Sequence, residues 1–204
     1  MTNVLIDESD AQEPSTDGRR RRGQANRDAI VDAMMSLVEA GEVTPSAAKV
    51  AELAGVGLRT VYRHFDDLDS LYQEMSAIVR RDLEPILADE FEGPDVHARL
   101  DLLIRRRVAV YERVMPLKIA GNIRRFSSAF IMSDYEDQLR MEEDGLRSAL
   151  AIVDDISEEL FESLRVVTSF QCWRGLRLDH GLTVEDATKV MRRLVRSLSA
   201  DLSS

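Results

Sequence analysis

From about Gln24 the apolar positions Ile30, Val31, Met34, Leu37 and Val38 recur at the three-and-four spacing of one helix face, and Gly41 stops the pattern. Thr44-Pro45 follows, a capping residue and then a proline at a first helical position, where its missing N–H costs nothing. It opens a short helix with Val50, Ala51 and Ala54 on its inner face. Ala54-Gly55-Val56-Gly57 turns the chain, and the next helix runs from Leu58 to His64. Asp67 is placed to cap a long helix from Leu68 to about Glu90, kinked at Pro85, where a hydrogen bond is lost and the ring meets the preceding turn. Gly93-Pro94 is the sharpest break in the chain. Beyond it the pattern predicts helices over about 95–113, 116–125, 127–151, 156–179 and 184–201, punctuated by Pro116, Gly121 and Gly181. No period-two alternation is long enough to compete and no internal repeat occurs. The expected fold is all-α, a three-helix head followed by a larger helical body.

Composition agrees, since the chain is only 5% aromatic and is rich in the strong helix formers Ala, Leu, Arg, Glu and Met. No apolar run reaches the roughly 18 to 20 residues of a membrane span, and the start Met1-Thr2-Asn3-Val4-Leu5 lacks the basic flank of a signal peptide, so a cytoplasmic protein with no membrane partner is expected. Cys172 is the only cysteine, which excludes an intrachain disulfide and a zinc site built on several thiolates. Neither a Gly-rich phosphate loop nor a metal-spaced cluster is present, and the three histidines lie far apart at 64, 97 and 180. Neither catalysis nor a cofactor is expected.

The net charge of −10 argues at first against a nucleic-acid partner. It is unevenly spread. Residues 1–17 hold five acids and no Lys or Arg, and residues 1–18 read as a disordered acidic tail. Residues 18–65 hold eight bases and five acids, and their densest stretch is Arg19-Arg20-Arg21-Arg22, a basic arm placed to meet phosphate or a minor groove. A solvated tail is the bland alternative for that run.

The basic stretch also contains a helix-turn-helix pattern. This motif needs two short helices and a tight turn, so that the first braces the backbone while the start of the second enters the major groove. Ser46 to Phe65 meets the requirement, with Ala51 and Ala54 small enough for close contact, Gly55 at the turn, Val56 and Val61 as inner anchors, and Arg59, Thr60 and Arg63 on the other side.

Gly41, Thr44 or Ser46, Val50-Ala51, Ala54-Gly55-Val56 and Thr60-Val61-Tyr62-Arg63-His64-Phe65 match in order the signature of the TetR family of transcriptional regulators, which residues 24–75 resemble. The rest resembles the family in helix count and in the stretch Leu176 to Thr183, typical of the linker before its last helix. The resemblance implies that Tyr62 and His64 contact phosphate, that Arg59 and Thr60 face base edges or the sugar-phosphate wall, and that Thr44 or Ser46 adds a phosphate contact. Two positions depart from the family pattern. Gly57 stands where Ser or Thr is usual, weakening the cap, and Leu68 stands where a phosphate-binding lysine is common. Arg63 and the Arg19–Arg22 arm are placed to compensate.

Residues 19–66 thus form the expected DNA-binding domain and 67–204 the ligand-binding and dimerisation domain. The last two expected helices carry apolar stripes, Leu160, Leu164, Val167, Phe170 and Leu176 on one and Val190, Met191, Leu194, Val195 and Leu198 on the other. In the resemblance these pair with their copies in a homodimer that binds a palindromic operator in double-stranded DNA. The middle helices are implied to hold a small-molecule effector that releases a repressor from DNA. Tyr111, Met115, Phe126, Phe130, Met132, Tyr135 and Trp173 are candidate lining residues, with His97 or Arg107 as a polar handle.

Overall fold

The computed structural model describes residues 16–87 and 91–202, and among these the regular structure is entirely helical. The order is α1 (Thr16–Glu39), α2 (Ala47–Leu53), α3 (Leu58–His64), α4 (Leu68–Leu87), α5 (Val96–Arg124), α6 (Ala129–Ala149), α7 (Glu158–Val167), α8 (Phe170–Arg174), which runs on into a π-helical turn at Gly175–Asp179, and α9 (Val184–Leu198).

The head closes around one apolar cluster. Ile30, Val31, Met34 and Val38 of α1 meet Val50 and Ala51 of α2, Val61 of α3 and Phe65, and α4 seals them with Leu71, Tyr72 and Met75. A second core fills the body, where Leu100, Leu103 and Ile104 of α5 pack with Leu146 of α6, Phe161 and Leu164 of α7, Phe170 and Trp173 of α8, and Met191 of α9. Each such large side chain contributes about 1.5–3 kcal/mol on burial. The helix α4 belongs to both halves, because its next turns place Val79 and Leu83 against Val114 of α5. Ala120 and Ile131 from the body reach the head cluster as well.

Several boundaries differ from the sequence reading. The first helix starts at Thr16 rather than Gln24, so Arg19–Arg22 are helical and not a flexible leader. Arginine is a strong helix former, and Arg22 Nε donates back to the Gly18 carbonyl at 3.2 Å. Of the expected acidic tail, residues 1–15 lie outside the described residues. The cap of α2 is Ser46, whose side chain accepts from Lys49 N, and Pro45 precedes the cap instead of following it, so Thr44 has no capping role. Asp67 does cap α4, accepting from Ser70 N at 2.8 Å. Pro85 falls in the last turn of α4 as described, and the expected stretch to Glu90 ends outside the described residues.

Pro116 and Gly121 do not divide the next segment, and α5 is continuous. Val114, Met115 and Ala120 are buried on either side of the proline, and this packing outweighs the one lost hydrogen bond. The expected helix over 156–179 is interrupted instead at Thr168 and Ser169. Thr168 Oγ1 donates to the Leu164 carbonyl at 2.6 Å at the end of α7, and Ser169 caps α8 by accepting from Cys172 N at 3.2 Å.

Candidate nucleic-acid interface and ligand cavity

The turn between α2 and α3 depends on Gly55, whose φ of 66° lies in the left-handed region. Val56 N then donates to the Ala51 carbonyl at 3.0 Å. Gly57 caps α3 with its backbone alone, and Thr60 N reaches its carbonyl at 2.7 Å. Val61 and Phe65 face the head core, which turns Arg59, Tyr62 and Arg63 to solvent and leaves Thr60 half-buried. The Tyr62 ring is 55% exposed, so it does not pack the head. Thr44 and Ser46 are exposed before α2, and Arg19–Arg22 are exposed on the first turns of α1.

The end of α3 is held by a residue that sequence reasoning missed. Arg27 of α1 donates through NH1 to the His64 carbonyl at 2.9 Å, ion-pairs with Glu74 of α4, and stacks over the Phe65 ring at 4.4 Å. A residue so far from its partners carries no sequence signal of the contact. His64 is half-buried, and its Nε2 is buried without a hydrogen-bond partner among the described residues. Burial, with the charges of Arg63 and Arg27 beside it, lowers its pKa. The face of α3 thus offers guanidinium and phenol donors suited to phosphate and base edges, whereas the His64 ring is partly withdrawn.

A cavity of about 370 Å³ lies between α4, α5 and α6. Its walls are mainly apolar, with Val79 and Leu83 of α4, Val110 and Val114 of α5, and Phe130 and Met141 of α6. Of the candidate lining residues, Arg107, Tyr111, Phe130 and Tyr135 are on the wall. Arg107 is buried and donates to the Thr168 carbonyl at 2.8 Å, to the Thr168 hydroxyl and to the Glu142 carbonyl. Tyr111 donates to the same Thr168 carbonyl at 3.0 Å, and burial raises its pKa well above the usual phenol value. Lys118 and Glu142 form a largely buried ion pair at 3.0 Å on the wall.

The other candidates lie off the cavity. His97 is exposed at the start of α5, 3.4 Å from the Ser199 hydroxyl. Met115 and Trp173 belong to the body core, and Trp173 Nε1 donates to Glu112 at 2.8 Å. Phe126 is 77% exposed beneath Arg125, and Met132 is half-buried away from the wall. A helix has several faces and the cavity touches one of them, so aromatic or sulfur character alone did not sort these residues.

The apolar stripes are likewise divided. Leu164, Phe170, Met191 and Val195 are buried in the chain's own core, which corrects their reading as interface residues, while Leu160, Val167, Leu176 and Leu198 pack half-buried against that core and keep part of their surface exposed. Val190 is half-buried and Leu194 is 39% exposed, in keeping with an outward place, and Val166 and Leu178, which the stripes left out, are 62% and 52% exposed.

No family model and no curated protein matches the sequence. Solved structures do. A transcriptional regulator from Rhodococcus sp. Rha1 superposes with a TM-score of 0.67 at 17% identity, covering 88% of this chain and 97% of that one. A TetR transcription regulator from Haloarcula marismortui gives 0.65 at 16% identity over 89% and 100%. EbrR, a multidrug-binding protein solved with imidazole, gives 0.55 at 18% identity over 93% and 97%. With these superpositions covering 88% to 93% of this chain, the protein has the fold of the TetR-family transcriptional regulators.

Proposed function

We propose that this chain is a DNA-binding transcriptional regulator, a cytoplasmic repressor that binds a palindromic operator as a homodimer and is released by a small molecule. The observation that carries this reading is the outward display of Arg59, Tyr62 and Arg63 from a helix whose opposite side is locked into the head core. One recognition helix reads only a half-site, so a two-fold partner is required. Residues 19–66 serve as the DNA-binding domain and 67–204 as the sensor and dimerisation domain, with Arg19–Arg22 presented on helix rather than on a flexible arm. Support for ligand control comes from the apolar cavity and from α4, which forms part of its wall and part of the head core. The likeness to a multidrug-binding protein is consistent with that role. The role is one of binding and release rather than catalysis.

Fluorescence anisotropy with duplexes from the DNA upstream of the chain's own gene tests the proposal. Saturable binding to one palindromic duplex, at least a hundredfold tighter than to its scrambled version, is expected. Equal affinity for both would refute operator recognition.

A further inference from the structure

The charged residues of the cavity wall are four bases and four acids, so their sum is zero and the depth at which each lies decides what the cavity favours. Half of them are balanced or screened near solvent. Arg80, with a side chain 55% exposed, neutralises Asp134 at 2.9 Å, and Asp137 pairs with Arg140, which stands outside the wall. Asp144 is exposed, and Arg106 lies half-buried over the Phe91 ring. Water weakens the pull of charges placed so.

The inner wall is different. Arg107, Tyr111, Val114 and Lys118 recur at helical spacing along one side of α5, and Glu142 of α6 stands against them. Lys118 and Glu142 cancel each other at 3.0 Å. Arg107 is buried beside them, but among the described residues its bonds go only to the Thr168 carbonyl and hydroxyl and the Glu142 carbonyl, oxygens without net charge. One positive charge is left there without a counter-ion.

Those three bonds use three of the five N–H donors of the guanidinium. Its Nε makes none of them and is not among the sealed, unpartnered atoms of the described residues, so it keeps some surface open. A buried ion held by dipoles alone is costly, and a carboxylate brought by a ligand supplies both the missing charge and acceptors for the spare N–H groups. A dianion would bring one charge too many for this part of the wall. A cation would add to the existing excess. Val79, Leu83, Val110, Val114 and Phe130 line the rest of the space, which suits an apolar body behind the charged group.

We propose that the cavity takes an apolar monocarboxylate and that Arg107 binds its carboxylate through Nε–H and the spare Nη N–H. This inference rests on the reading of the cavity as an effector site.

The test is calorimetric titration at neutral pH with octanoate, octan-1-ol and octylammonium, which share one alkyl chain and differ in charge. Wild-type protein should bind octanoate at least about tenfold more tightly than either other probe. Arg107→Met should lose that preference while octan-1-ol binding changes less than about twofold. The loss of stability expected for this variant calls for a second one. Glu142→Gln keeps the main-chain carbonyl that Arg107 uses and removes a negative charge from the same wall, so it should tighten octanoate several-fold, a gain that damage to the fold could not produce. Equal wild-type affinity for octanoate and octan-1-ol, or a preference for octylammonium, would overturn the carboxylate assignment and leave the cavity an effector site. So would a folded Arg107→Met that retains the preference, or a Glu142→Gln that binds octanoate no more tightly than wild type. Binding of none of the three probes would overturn the effector-site reading together with the inference.

Discussion

Arg107 NH1 lies 2.8 Å from the main-chain carbonyl of Thr168, joining the middle of α5 to the break between α7 and α8. The same guanidinium reaches the Thr168 hydroxyl and the Glu142 carbonyl, so a buried cation is satisfied chiefly by main-chain oxygens. The Thr168 carbonyl is free to accept because the helix is interrupted there, whereas the Glu142 carbonyl lies within continuous α6. Replacing Arg107 by Met preserves much of the volume but strands the acceptors. A loss of about 2–4 kcal/mol is expected, read as a lower urea midpoint. An unchanged midpoint would show that the network adds nothing to stability.

The head makes opposite demands on its two turn glycines. At Gly55 φ is 66°, and an added Cβ meets nothing within 4 Å, so Gly55→Ala costs only backbone strain, about 1–2 kcal/mol. Gly57 has φ −72° and ψ 146°, ordinary values for a cap, and it lacks a side-chain bond. Gly57→Ser should therefore stabilise the head by a few tenths of a kcal/mol. Thermal melts of the pair should shift in opposite directions.

Burial and the neighbouring Arg63 and Arg27 hold the His64 imidazole below its ordinary pKa of 6.5. The unfolded chain then takes up a proton at a pH where the folded head does not. This contribution to stability is complete above the unfolded pKa and is lost as pH falls below 6.5 towards the lower folded value. The urea midpoint of wild type should fall between pH 7.5 and 5.5 by more than that of His64→Gln. Parallel pH profiles for the two proteins would rule out this linkage.

Leu194 is 39% exposed on α9, whereas Met191, three residues earlier, is fully buried. In the proposed dimer Leu194→Glu should yield a folded monomer by light scattering, because the new charge is buried only on association. Met191→Glu should instead unfold the chain. A wild-type protein that is monomeric at micromolar concentration would end the dimer proposal.

Arg59 sits at the outward start of α3, and Arg19–Arg22 lie on the exposed first turns of α1. If Arg59 reads a base edge, Arg59→Ala should cost about 1–3 kcal/mol per half-site and relax the preference there. Substituting all four arginines by Gln should weaken every duplex alike. It should also flatten the dependence of log affinity on log salt, by about 3 to 4 units if each protomer neutralises two phosphates through them. Titrations at several salt concentrations on operator and scrambled duplexes separate the two roles. The assignment is reversed if Arg59→Ala retains full preference and the fourfold variant loses it.

The helix-turn-helix was readable from the sequence alone because its determinants are local. Gly55 supplies a left-handed turn, Val50, Ala51 and Val61 fall on the inner face by helical spacing, and Asp67 stands one residue before α4. Periodicity also determined the all-helical character of the body. What it could not decide was the partner of each apolar stripe. Spacing marks a buried face but does not say whether the chain's own core, a cavity or a second copy covers it. Only the tertiary packing placed Leu164, Phe170 and Trp173 in the body core and carried α5 through Pro116. It likewise brought Tyr72, absent from every sequence-based candidate set, to the cavity wall with its hydroxyl unbonded. That position depends on contacts with Arg124, more than fifty residues along the chain, and no local pattern encodes such a contact.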